Sequence, residues 1–277
     1  MGQCFDLVAE RWKQGRFLCV GLDTDYAKIA SRFPGETVSS AIFRFNREII
    51  EATAEWVCAF KPNSAFYEGQ GLAGMEALIA TNRFLRDRFP QIPIILDAKR
   101  ADIGNTNFGY VRSAFEVFLA HAITIHPYLG GEAVEPFLKN RDRDAFVLCH
   151  TSNPGAAEFQ ELTIAGKELY KIVAERVQRD WNANQNCGLV VGATYPEQLA
   201  EVRKIASEMP FLIPGIGAQG GDLQLTVRHG LNAAKTGIII NASRSVLYAD
   251  LQGDYAAAAA AEAARLHREI GTVVADC

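Results

Sequence analysis

Eight short apolar, β-rich runs alternate with helical patterns along this 277-residue chain, and that alternation constrains its fold more than any other feature. The runs fall at residues 17–22, 57–61, 92–97, 122–126, 145–150, 187–192, 211–214 and 237–241. Between them, and after the last, helical patterns cover 38–56, 75–88, 108–121, 132–139, 167–182, 196–209, 222–229 and 255–269. Near-continuous apolar strands separated by helices belong to a parallel sheet covered on its outer face. Eight such units without a break in composition predict an α/β fold closed as a (β/α)8 TIM barrel, with residues 1–277 forming one catalytic domain. A doubly wound open sheet is the alternative. Ahead of the first unit, Phe5, Val8, Ala9 and Trp12 share one helical face, which predicts a short helix over 3–12 closing the bottom of the barrel.

Composition narrows the function. Hydrophobic residues make up 49% and charged residues 22%, enough to build a large core in a soluble chain. The net charge of −4 argues against nucleic acid or an anionic membrane as the main partner. No apolar run approaches the roughly 20 residues of a spanning helix, and no signal-peptide pattern opens the chain. The six cysteines are scattered without a C-x-x-C pair, which predicts reduced thiols in a cytoplasmic protein.

A barrel of this kind carries its chemistry on residues just past each strand. Asp23 follows the first run, Lys61 ends the second, and Asp97, Lys99 and Asp102 cluster at the third. Residues two apart in a strand share a face, so Asp97 and Lys99 point the same way. Charges at the end of a core strand are costly unless paired, which predicts a functional network. At the seventh and eighth turns stand the glycine-rich run 215–221 and Arg244. Glycines let backbone N–H groups approach an anion, a helix N-terminus adds its dipole, and Arg244 supplies a charged fork, so this end predicts a phosphate site. The spacing Gly215-x-Gly217-x-x-Gly220 fits a dinucleotide fingerprint but lies too late in the chain for one. His126 and His150 lack a clear carboxylate third ligand and are read as packing or hydrogen-bonding residues, so no metal is expected. Nothing supports Ser152 as a triad nucleophile.

These motifs carry a resemblance. Asp97-Ala-Lys99-Arg-Ala-Asp102-Ile-Gly-Asn-Thr106, Pro214-Gly-Ile-Gly-Ala-Gln219-Gly-Gly-Asp222 and Asn241-Ala-Ser-Arg244-Ser resemble the orotidine 5′-phosphate decarboxylase family, in its longer bacterial subgroup. Gly21-Leu-Asp23, Phe60-Lys61-Pro-Asn and Thr151-Ser-Asn-Pro-Gly155 fit the same family in the same order, so the resemblance covers nearly the whole chain. Ala101 stands where that subgroup often has glycine, a departure that removes no functional atom.

The resemblance implies conversion of orotidine 5′-monophosphate to UMP and CO₂ in de novo pyrimidine synthesis, with no cofactor or metal. It implies Lys99 as the group that stabilises the C6 carbanion and donates the proton. Asp97 would lie by the substrate carboxylate and Lys61 would hold the alternating charges. Asp23 would bind ribose, Ser152 the pyrimidine, and Gln219 and Arg244 the phosphate, with Gly217 and Ile103 as further substrate-binding positions. Asp102 and Thr106 would enter the neighbouring subunit's site, making the protein a homodimer with shared active sites. The rival readings are a Mg²⁺-dependent sugar-phosphate decarboxylase or synthase of the same superfamily, a Schiff-base aldolase, and a non-catalytic phosphate-binding barrel. The Mg²⁺ enzymes resemble this motif but carry an acidic ligand at the end of strand two, where this chain has Lys61. The aldolase needs a lysine of depressed pKa, whereas flanking carboxylates raise it.

Overall fold

The computed structural model describes residues 2–217 and 220–277. Its main sheet contains strands β1 (Leu18–Gly21), β2 (Val57–Lys61), β3 (Ile95–Arg100), β4 (Ala122–Ile125), β5 (Asp144–His150), β6 (Cys187–Val191), β7 (Phe211–Pro214) and β8 (Ile238–Ala242). All pairings are parallel and each strand lies beside its sequence neighbours, with β1 also joined to β8. Between β2 and β3 the ring closes through the bridges Phe60–Ile94 and Asn63–Asp97. A doubly wound sheet reverses its strand order at a switch point. This one never does, so it is the expected barrel.

The outer layer comprises α2 (Val38–Thr53), α3 (Gly71–Arg88), α4 (Gly104–Arg112), α5 (Gly131–Leu138), α6 (Leu169–Arg176), α7 (Pro196–Ile205), α8 (Leu223–Gly230) and α9 (Tyr255–Asp276), preceded in the chain by α1 (Gln3–Lys13). The helices predicted over 108–121 and 167–182 are shortened most, because α4 and α6 run on into π turns at Ser113–Val117 and Val177–Trp181. The third strand sits later than its apolar run, 95–100 rather than 92–97. Pro93 has no N–H for a ladder, and the charged residues themselves continue the strand.

The barrel interior is its own small core. Cys19, Cys58, Ala59, Ile95, Ala122, Phe146, Val190, Leu212 and Ile239 pack there with Cys4, Phe5 and Val8 of α1. The first helix therefore plugs the bottom, as its apolar face predicted. Phe5 meets Phe146 edge-on, with ring centroids 5.3 Å apart. Trp12 Nε1 donates to Ile238 O at 2.8 Å, and the Arg11 guanidinium donates to Val57 O and Ala54 O. Asp144, fully buried at the start of β5, accepts the N–H groups of Gly2, Cys4 and Phe5 at 3.1, 2.8 and 3.2 Å. These are the orphan donors of a helix N-terminus, and one carboxylate 140 residues away satisfies them. Burial pushes the Asp144 carboxyl up to about 7, although the three N–H donors pull the other way. Asp144→Ala is expected to lower unfolding stability by roughly 2 kcal/mol, since it strands buried donors; a urea melt beside the wild type checks it.

Candidate active site

All the polar strand ends gather at one rim of the barrel. Lys61, the last residue of β2, is only 3% exposed, and its Nζ lies 2.9 Å from Asp97 Oδ2 and 3.9 Å from Asp23 Oδ1. Lys99 Nζ sits 2.6 Å from Asp97 Oδ1. The four groups form one chain of alternating sign, Asp23–Lys61–Asp97–Lys99. Burial alone would pull the Lys61 ammonium down, but the charges of Asp23 and Asp97 outweigh it and hold its pKa above the usual lysine value. Burial likewise favours a protonated Asp97, yet Lys61 and Lys99 hold it well below the usual carboxylate range. Both members of the buried pair are therefore ionised at neutral pH. Lys99 differs from Lys61 in that its side chain is 49% exposed to the cavity mouth. Its backbone lies in the left-handed region, φ 49°, a conformation that lysine rarely adopts and that clusters at functional sites.

A cavity of about 470 Å³ opens over this array. Asp23, Lys61, Asp97 and Lys99 from the β1–β3 side line it together with Gly215 and Arg244, which follow β7 and β8. Leu148, Val190, Leu212 and Ile216 add an apolar wall, with Ser152 at its edge. The sides can approach because two glycines lack side chains. A β-carbon on Gly21 would collide with Ser243 Oγ, and one on Gly192 would stand 2.6 Å from the Ser152 nitrogen. After β7, Gly215, Gly217 and Gly220 all have positive φ, and the turn is tied by Gly220 N–H to Gly217 O at 2.9 Å. Asp222 caps α8 directly behind it, accepting the Leu225 N–H at 2.9 Å. Arg244 opens a short helix, Arg244–Leu247, and has no carboxylate partner among the described residues.

The sequence-predicted residues divide into two sets. Asp23, Lys61, Asp97, Lys99, Ser152 and Arg244 share the cavity. Gly217 adjoins it in the glycine turn without lining it, and Gln219 lies outside the described residues. Asp102, Ile103 and Thr106 do not line it. The Asp102 carboxylate accepts its neighbour Ile103 N–H at 2.7 Å, and Asn107 Oδ1 accepts the Asp102 N–H at 2.8 Å. Ile103 is 63% exposed and Phe108 64%, an apolar surface beside the acidic residue. The histidines make hydrogen bonds: His126 Nε2 to Ala101 O, and buried His150 Nε2 to Glu161 Oε1, both at 3.0 Å. The His150 ring also packs edge-on against Tyr170 and Tyr195. Among the described residues no group of three or more His, Cys, Asp or Glu is placed to hold a metal ion. Sequence reading missed Thr124, which lines the cavity and bonds Asp97; the available signal was a single hydroxyl in the otherwise apolar strand Ala122–Ile125.

Comparison with known proteins bears on this geometry. The profile of the orotidine 5′-phosphate decarboxylase / HUMPS family matches residues 16–261. The chain belongs to that family. Within it, orotidine 5′-phosphate decarboxylase from Cupriavidus necator is 48% identical over 254 residues, 91% of this chain and 92% of the relative. The family member of that name from Janthinobacterium sp. is 49% identical over 242 residues, 87% of this chain and 88% of the relative. The solved OMP decarboxylase of Leishmania donovani superposes with a TM-score of 0.85 at 40% identity, covering 98% of both chains. The UMP synthase of the same organism gives 0.88 at 41%, where this chain covers 99% of itself but 56% of that longer protein.

Proposed function

We propose that this chain decarboxylates orotidine 5′-monophosphate to UMP and CO₂, the closing step of de novo pyrimidine synthesis, using its own side chains without a metal or organic cofactor. The observation that carries this reading is an alternating Asp–Lys–Asp–Lys array, buried at Lys61 and open at Lys99, that shares one cavity with a glycine-rich turn and Arg244. Cleavage of the bond from C6 to the carboxylate leaves its electron pair on C6, where the ring delocalises it poorly. A preorganised cation beside that carbon lowers the barrier. Lys99 supplies the charge and then its proton, so that C–H forms as the ammonium becomes an amine and water restores it. Asp97 faces the departing carboxylate and fixes Lys99, while Lys61 neutralises Asp97 from its buried side. Asp23 takes ribose hydroxyls, Ser152 the pyrimidine edge, and Arg244 with Gln219 and the Gly217 turn the phosphate.

The phosphate lies far from the breaking bond, and its binding energy serves to hold the base over Lys99. Arg244→Ala is expected to raise KM for orotidine 5′-monophosphate by about 10²-fold, the cost of one charge-assisted hydrogen-bonded pair, measured by initial rates over substrate concentration. We assign Asp102 and Thr106 to the neighbouring subunit's site in a homodimer, which accounts for their absence from the lining of their own cavity; Ile103, the further substrate-binding position, also lies outside that lining. The same reading makes residues 1–277 one catalytic domain, located in the cytoplasm. Five of its cysteines are buried, and no helix among the described residues is long and apolar enough to cross a membrane.

The sugar-phosphate side of the family offers the second reading. It requires an acidic magnesium ligand at the end of β2, and there the buried Lys61 ammonium would repel a cation. Purified protein is expected to consume orotidine 5′-monophosphate, followed by loss of its absorbance, equally with EDTA and with added Mg²⁺. Activity that vanishes in EDTA and returns with Mg²⁺ would favour the second reading; none in either condition would favour a non-catalytic barrel. Trapping by borohydride would point to the Schiff-base aldolase.

A further inference from the structure

The join between β3 and β4 is irregular. Leu96 pairs with Ile123 and Arg100 with Ile125, so residues 97–99 lie opposite the single residue Thr124. Such a bulge leaves backbone donors without ladder partners, and it re-aims the side chains it carries. Here the Asp97 N–H keeps its bridge to the β2 side, Pro62 O at 2.9 Å, and the N–H groups of Ala98 and Lys99 both donate to Thr124 Oγ1 at 3.0 Å. A hydroxyl has two acceptor positions and one proton. With both acceptor positions filled, its proton goes to Asp97 Oδ1, 2.9 Å away. Thr124 is 1% exposed, so no solvent competes for these bonds.

We propose that Thr124 is a positioning residue for the decarboxylation, its hydroxyl fixing at once the backbone of Lys99 and the Asp97 oxygen on which the Lys99 ammonium rests. The inference builds on the reading of Lys99 as the proton donor. Lys99 is thereby held at both ends. Its main chain is pinned in the left-handed conformation by the bond to Oγ1, and its Nζ is seated 2.6 Å from the oxygen that the same hydroxyl orients. Without the hydroxyl, two backbone N–H groups lose their acceptor and Asp97 Oδ1 loses its neutral donor. The bulge then has reason to relax toward a regular ladder, which would flip the faces that Asp97 and Lys99 present.

The test uses full-length Thr124→Val, Thr124→Ala and Thr124→Ser beside the wild type. The valine and alanine variants are expected to lose about 10²-fold in kcat, the scale of a displaced catalytic group. The serine variant, which restores the hydroxyl without the methyl, is expected to stay within about five-fold of wild type on the same scale of geometric tolerance. UMP has no carboxylate on C6, so its affinity, read by calorimetry, should change little across the series. Serine and alanine differ only in the hydroxyl, so that pair decides the matter even where the valine variant fails to fold. Alanine turning over as fast as serine, or UMP affinity falling in step with kcat, would mean that Thr124 only supports the strand join. An inactive wild type would sink the decarboxylase reading and this proposal with it; an active wild type with unaffected variants would sink the proposal alone.

Discussion

Lys99→Ala is expected to cut turnover of orotidine 5′-monophosphate by ~10⁴-fold or more, because the proposed mechanism gives one side chain two tasks. Loss of a general acid is worth about 10²–10⁴ in rate, and loss of a preorganised charge at the reacting centre about 10²–10³. Binding should suffer far less. The proposed phosphate contacts fall to Arg244 and the glycine turn rather than to Lys99, and UMP presents no carboxylate to the Lys99 region. The measurements are single-turnover consumption of substrate and a UMP titration on the same preparation. A rate within 100-fold of wild type would remove Lys99 from the proton step. Lys61→Ala is a different experiment. Its ammonium is buried and paired to Asp97, so its removal leaves a buried carboxylate with one cation fewer and disturbs the fold as well as the chemistry.

The architecture was legible because barrels repeat one unit. Each strand is buried on both faces, so each reads as an apolar run, and periodicity exposes the helices between. What periodicity lost was the boundary at β3, where Lys99 and Arg100 belong to the strand although they break its apolar pattern. The charged residues themselves were legible by type and by position past the strands. Their pairing was implied only by the family resemblance, since the contact of Lys61 with both Asp23 and Asp97 depends on β1, β2 and β3 being neighbours in space. Thr124 was missed for the same reason. A threonine in a strand is ordinary β-forming composition, and only the three-against-one register of β3 on β4 gives its hydroxyl work to do. The glycines at 21 and 192 fell inside or at the end of predicted strands, and only the structure shows the contact each permits with Ser243 and Ser152.

Mixed dimers provide the second large effect. Lys99→Ala and Asp102→Ala homodimers are each expected to be nearly inactive, the first for want of its proton donor and the second for want of a carboxylate delivered across the interface. In a hybrid, the barrel of the Asp102→Ala subunit keeps its own Lys99 and receives Asp102 from the Lys99→Ala subunit. One of its two sites is then intact, and the other lacks both residues. Random exchange at equal concentrations makes half of the dimers hybrid, so about a quarter of wild-type activity should return. The geometry behind this expectation is that Asp97 and Asp102 belong to one short motif but face different ways. Asp97 lines its own cavity, whereas Asp102 stands outside it beside exposed Ile103 and Phe108, the apolar surface a partner subunit would cover. Were Asp102 to act within its own barrel, no hybrid would contain a complete site, and mixing would restore nothing. Mass spectrometry of differently tagged subunits shows whether exchange has occurred, so failure to recover activity after proven exchange would refute the shared site.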